Sequence, residues 1–302
     1  MRRLLTLGLT FLLVGGPCLQ RARCEGRNAD AWQTSASSQE VEQTLDRYIQ
    51  AMGGKDALQV LRTRRMTGRV SSAAARVAGR VQVDQKAPNK WLEKDFFVYP
   101  DPPPKDHSER QMAFNGVAGW SGGQNWWSPP GQIDDMDAGT SDERNLAFDL
   151  GHPLRLRELY VGLKPAGLQQ VESDHSRQQY RAGSDSRDDL MGALDRAANG
   201  RAPLTQAYVI EATKKNGSTD KLYFDLRTGL LLRYDLGVAP GRNGLTWYFE
   251  DYRDVGGVKV PYRLVYRQNF SGTLVDTVFA FQEVYHNISI DDTEFERPRG
   301  RS

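Results

Sequence analysis

The chain has 302 residues, of which 39% are hydrophobic, 10% aromatic and 26% charged, with 29 Gly and 14 Pro. That balance excludes an intrinsically disordered chain and a multi-span membrane protein. Two Cys, Cys18 and Cys24, and four His are too few for a disulfide scaffold or a four-cysteine zinc site, so no metal and no other cofactor is expected.

Arg2 and Arg3 precede an apolar run from Leu4 to Val14 that is too short to span a bilayer, the layout of a secretory signal peptide. Residues 1–24 are read as that signal and the product as exported. A lipid anchor at Cys18 or Cys24 is the alternative, but Pro17 and Arg23 stand where a lipobox wants Gly, Ala or Ser. Removing residues 1–24 takes away four Arg and no acid, so 40 basic and 38 acidic residues become 36 and 38. With that balance, and only one tight basic cluster, Arg62-Thr63-Arg64-Arg65, read as a solvated face, nucleic-acid binding has no electrostatic footprint.

Residues 25–38 are polar and small, and are expected to form a flexible leader. After Ser37 and Ser38 as caps, Val41, Leu45, Tyr48, Ile49 and Met52 recur at helical spacing, and Gly53-Gly54 ends the helix. Asp56 to Leu61 reads as a short second helical turn. From Met66 the period shifts towards two, with Val77, Val81 and Val83, then Trp91 to Val98, as strand residues. Pro100 to Pro104 interrupts them with a stiff loop. Asn115-Gly116 turns a hairpin between Gln111–Phe114 and Gly119–Ser121. Helical patterns follow from Ser141 through Leu150, and again after His152-Pro153.

Residues 173–204 hold five Asp among five Arg, with little apolar content outside Leu190 to Leu194, and read as an exposed charged insertion. Beyond them, strands are predicted at 207–213, 219–226, 230–235, 245–252, 258–268 and 273–284, separated by short turns. Such spacing implies an antiparallel meander, because parallel strands need longer crossovers. Alternation puts Tyr208, Ile210, Leu222, Phe224, Leu245, Trp247, Phe249, Leu264, Tyr266, Phe279 and Phe281 on one face. Glu211, Lys221, Asp225, Arg263 and Arg267 fall on the other. One long helix and a few short ones are scant cover for so wide an apolar face, which leaves room for a cavity; a fully packed core is the competing expectation.

The run Tyr48-Ile49-Gln50-Ala51-Met52-Gly53-Gly54-Lys55-Asp56-Ala57-Leu58 resembles bacterial outer-membrane lipoprotein-sorting-type proteins of the LolA/LolB superfamily. So do Phe114-Asn115-Gly116 with Trp120, Leu222 to Leu231, Tyr252 to Tyr262 and Asn287 to Phe295. The resemblance implies an α+β, mainly antiparallel fold. It is an incomplete half β-barrel whose concave apolar face is covered by an N-terminal helix and short central helices. It also implies one such domain over residues 39–298, followed by a tail at 299–302. The function it implies is a periplasmic, non-catalytic carrier of a lipid, a lipoprotein acyl chain or another hydrophobic ligand in the cell envelope, with an acylated protein or an envelope membrane as partner. The expected wall residues are Leu222, Phe224, Trp247, Phe249, Leu264, Phe279 and Phe281, with Trp91 and Trp120 near the mouth.

Two other readings compete. One is an envelope structural or interaction module with a filled core, contacting another protein through 173–204. The other is a serine esterase, because Gly119-Trp120-Ser121-Gly122-Gly123 matches G-x-S-x-G. The context speaks against the second, since Pro129-Pro130 follows where the motif needs a helix, and no spacing selects His152, His175 or His286 as base. Asp134-Asp135-Met136-Asp137 and Asp291-Asp292 read as acidic turns, and Trp126 and Trp127 as part of a loop at a membrane interface or pocket.

Overall fold

A computed structural model of the chain describes residues 25–72, 77–98, 108–124, 132–172, 204–237, 244–270 and 273–298. The expected signal peptide, the Pro100–Pro104 loop, Trp126, Trp127, residues 173–203 of the charged insertion with His175, and the last four residues lie outside these.

Helix α1, Glu25–Ala51, begins inside the stretch expected as a leader and runs through Ser37 and Ser38 instead of starting after them. Ala29, Ala31 and Ala36 and the lack of any Pro allow a helix nucleated downstream to extend backwards. Its apolar stripe is the one that the 3.6-residue period predicts: Val41, Leu45, Tyr48 and Met52 are buried. Gly53 then adopts φ 123°, and helix α2, Gly54–Gln59, follows. A Cβ on Gly53 would lie 2.2 Å from the carbonyl oxygen of Gly257, so no side chain fits there. Gly53→Ala is therefore expected to cost about 2–3 kcal/mol of stability in urea denaturation, from overpacking added to a left-handed backbone.

The strands are β1 Thr63–Ser72, β2 Val77–Lys86, β3 Lys90–Val98, β4 Ser108–Phe114, β5 Gly119–Gln124, β6 Ile133–Asp135, β7 Gly162–Glu172, β8 Leu204–Thr213, β9 Thr219–Asp225, β10 Leu231–Leu236, β11 Leu245–Val255, β12 Val258–Phe270 and β13 Thr273–His286. Helices α3, Ala138–Phe148, and α4, His152–Leu159, connect β6 to β7. All thirteen strands form one sheet in the order β6-β5-β4-β3-β2-β1-β13-β12-β11-β10-β9-β8-β7. Every neighbouring pair is antiparallel. The predicted meander is thus present, and the pairing of β1 with β13 extends it into the N-terminal strands. The sheet is not closed, since β6 and β7 each have a neighbour on one side only.

The sheet curls strongly. Trp91 on β3 and Trp247 on β11 are five strands apart, about 24 Å across a flat sheet. Yet the ring of Phe148 lies 5.8 Å from one and 5.7 Å from the other, centroid to centroid. The apolar face is therefore concave, and the helices sit inside it.

The outer face carries cross-strand ion pairs, Arg263 with Glu250 at 3.1 Å and Arg267 with Asp276 at 2.7 Å among them. After β13 the chain folds back over the outside of β3–β5, where Ile290 and Phe295 pack with Leu92, Ala113 and Trp120. Asp291 accepts the backbone N–H of Thr293 and caps a 3-10 turn, Asp292–Phe295.

Three elements differ from expectation. Strand β7 is not apparent in the sequence because Pro165 and Gly167 break the alternation. It is an edge strand, where a missing N–H is tolerated, and its register slips between those two residues. Helix α3 starts at Ala138 because Asp137, whose side chain accepts the N–H of Thr140, is the cap. In the basic cluster read as a solvated face, strand alternation turns Arg64 inwards, where it is buried, while Arg65 pairs with Asp84 at 2.6 Å.

Candidate functional site

The floor of the concavity is built from alternate residues of β1–β4 and β8–β13. Eight of the nine wall residues expected from the sequence meet there: Trp91, Leu222, Phe224, Trp247, Phe249, Leu264, Phe279 and Phe281. Trp120 does not join them. Its indole points to the outer face and donates to the carbonyl of Phe295 at 3.0 Å, so it is part of the clasp on the C-terminal segment, not of a mouth.

The expected hollow is covered. None of the eight floor residues is more than 6% exposed. Tyr48 of α1 lies on Phe224 with ring centroids 5.3 Å apart, and Phe148 of α3 fills the space between Trp91, Trp247 and Phe279. The cavity left beneath α3–α4 is about 50 Å³, against roughly 300–1,000 Å³ for a typical ligand pocket. A second, open cleft of about 420 Å³ borders α3 and α4, where Leu146, Leu159 and Tyr160 stand among Asp142, Asn145, Arg155 and Lys214.

Helix α3 is fastened to this floor through the polar edges of the aromatic residues. Trp91 Nε1 donates to Asn145 Oδ1 at 2.7 Å, and Trp247 Nε1 to the carbonyl of Glu143 at 3.0 Å. Tyr266 donates to Glu143 Oε2 at 3.1 Å, and Gln85 Nε2 to the carbonyl of Phe148 at 2.7 Å. The guanidinium of Arg144 lies over Tyr266, Trp247 and Phe279, 4.5, 5.3 and 5.9 Å from the ring centroids.

Arg144 also faces a buried acidic pair. Its Nη1 is 3.3 Å from Glu93 Oε2, too poorly aligned for a hydrogen bond, and Arg110 pairs with both Glu93 and Asp95. Burial, and then the neighbouring Glu93, push the Asp95 carboxyl well above the ordinary carboxylate range, against the pull of Arg110.

A buried imidazole, His152, and a half-buried one, His286, shift the other way. Burial, and then the charge of Arg155, lower His152 to about 3; burial and Arg64 lower His286 to about 4. Both are neutral in the folded protein, whereas the unfolded chain takes up protons near pH 6.5. Their contribution to stability is complete above that pH and is lost as pH falls through 6.5 towards 4. Asp149, pushed up to about 6 by burial, works in the opposite sense, so the informative quantity is a difference between variants. His152→Leu is expected to lose about 2 kcal/mol less than the parent between pH 7 and pH 4.5 in urea titrations.

Ser121 lies within β5, paired to Met112 on β4 and Asp134 on β6, and not at a strand-to-helix turn. Asp134 and Asp135 belong to β6, and Asp137 caps α3. The residues that sequence patterns missed are those that fill or charge the concavity: Phe148, Arg144, Arg64 and the pair Glu93 and Asp95. Phe148 lay inside a predicted helix; the others look like surface charges until the strand faces are assigned.

The sequence matches no protein-family model and no curated protein. Solved structures similar to it include a DUF1329 family protein from Desulfovibrio piger, at 12% identity and a TM-score of 0.47, covering 85% of this chain and 97% of that one. Another is a LolA superfamily protein from Nitrosomonas europaea, at 11% identity and a TM-score of 0.46, with the same coverage. A third is an outer membrane lipoprotein-sorting protein domain from Vibrio parahaemolyticus, at 10% identity and a TM-score of 0.41, covering 84% and 96%. Among the described residues no helix is long and apolar enough to cross a membrane.

Proposed function

We propose that the protein is an exported, periplasmic, non-catalytic carrier that holds an apolar chain, of a lipid or an acylated protein, on the concave face of its sheet, in the manner of lipoprotein sorting. The chain takes the place of α3–α4. The observation that carries this reading is the nature of the cover: an eleven-residue helix over an aromatic floor, tied down by hydrogen bonds to the edges of that floor.

Helices as short as α3 and α4 are marginal in water by themselves, so the cover is held by its contacts and gives way when they are replaced. Four of its apolar side chains, Leu146, Phe148, Leu150 and Leu156, are buried in the core. At about 1.5–3 kcal/mol each, exposing them costs roughly 6–12 kcal/mol. An acyl chain of about sixteen carbons returns roughly 12 kcal/mol gross, at about 0.8 kcal/mol per methylene. The apolar gain and loss are of one order, and the polar contacts of α3 that must also break keep the bound chain releasable.

The small residual cavity favours a second reading, an envelope interaction module whose core is simply full. Native mass spectrometry of protein purified from a bacterial envelope separates the two. Co-purifying lipid, released on denaturation, is expected for the carrier; repeated spectra of the bare chain would leave the module.

A further inference from the structure

Three arginines are buried among the described residues: Arg64, Arg144 and Arg263. Arg144 faces Glu93 at 3.3 Å and Arg263 pairs with Glu250 at 3.1 Å. Arg64, 7% exposed, has no carboxylate partner among the described residues. Its Nε donates to His286 Nε2 at 3.0 Å and its Nη1 to Gln85 Oε1 at 3.4 Å, both neutral acceptors. Gln85 passes the contact on to the last carbonyl of α3, so the negative end of that helix reaches Arg64 only at second hand. A buried charge without a partner is costly, and proteins pair such groups or neutralise them.

Arg64 borders the cavity beneath α3–α4, together with Tyr48, Gln85, His152 and Tyr252. The Nε2 of His152 is buried and has no hydrogen-bond partner. The one carboxylate on the cavity wall, Asp149, is committed to Arg155 at 2.7 Å and to the backbone N–H of Gly151 at 2.8 Å. At about 50 Å³ the cavity holds little more than one or two waters' worth of volume, the size of a carboxylate and too small for a phosphodiester headgroup. Beside it, Met52, Leu58, Met66 and Leu264 supply apolar wall.

We propose that the Arg64 end of the cavity is the head site for the carboxylate of a long-chain fatty acid, with Arg64 as its counter-charge. This rests on the carrier reading and narrows its ligand from any apolar chain to one ending in a carboxylate. The guanidinium matches the two oxygens of the head, and the tail runs along the floor that α3 vacates. Burial already lowers the guanidinium to about 10, as expected for a charge still waiting for its partner.

Fluorescence titration with cis-parinaric acid and with its methyl ester, at neutral pH, tests the assignment. The parent protein is expected to bind the acid about tenfold or more tighter than the ester. Arg64→Met should keep ester binding and lose the preference, and Arg64→Lys should keep part of it. Equal binding of acid and ester by the parent overturns the carboxylate site while leaving the carrier in place, and this comparison needs no variant to fold. Retention of the preference by Arg64→Met also overturns it. If the parent binds neither probe, the carrier reading fails and the head site with it. Melting curves of Arg64→Met guard against loss of fold.

Discussion

Replacing Phe148 by Ala is expected to cost the ligand-free protein about 3–5 kcal/mol in urea denaturation, because the ring fills the space between Trp91, Trp247 and Phe279 and no neighbouring element can close it. The same change should strengthen binding of an acyl probe. A chain entering the parent must first displace the ring, at about 1.5–3 kcal/mol, and the variant has no ring to displace; affinity should rise by roughly 10-fold to 100-fold. Saturating probe should then restore much of the lost stability. A core that is only a core gives the first result and not the second: the variant is weakened and the probe does nothing for it.

The second large effect is expected at Arg144. Replacing it by Met leaves the fully buried Glu93 and Asp95 to share Arg110 alone, and removing one member of a buried charge cluster typically costs about 3–5 kcal/mol. Pairing the change with Glu93→Gln should return part of that loss, so the double variant should be more stable than the sum of the single effects implies. Because Arg144 also rests on the rings of Tyr266, Trp247 and Phe279, its loss loosens α3 from the floor, and stopped-flow uptake of the probe should become faster. Additive losses in the cycle would mean that Arg144 and Glu93 are not coupled; unchanged uptake would mean that α3 does not move to admit a chain.

Local periodicity made the sheet legible. Phe224, Trp247, Phe249, Leu264, Phe279 and Phe281 fall on alternate positions of their strands, with Asp225, Glu250, Arg263 and Gln282 marking the opposite phase, so a period of two assigns their face without knowledge of strand order. Val41, Leu45, Tyr48 and Met52 do the same for α1 at a period of 3.6. Trp120 defeats this reading because Gly119, Gly122 and Gly123 leave β5 with little contrast between its faces; what turns the indole outwards is Phe295, 175 residues later in the chain. Phe148 could be placed in a helix, but that its ring bridges β3 and β11 depends on the curl of a thirteen-strand sheet, a property of no single segment. Arg64 is the sharpest case. In the string Arg62-Thr63-Arg64-Arg65 nothing marks one cation as buried, and only the inward phase of β1, set by Met66 and Val70 further along, distinguishes it from Arg65. The groups that give the concavity its charge were therefore present in the sequence but indistinguishable from surface residues.

Quenching of tryptophan fluorescence by a stearic acid brominated at mid-chain tests most directly whether an acyl chain replaces α3 over the floor, since bromine quenches an indole only near contact. The parent protein should be quenched on saturation, and the Trp91→Phe/Trp247→Phe double variant should lose most of that response, because those two indoles line the space the chain would occupy. Bound probe that leaves the parent unquenched, or quenching that survives the loss of both floor indoles, would contradict it.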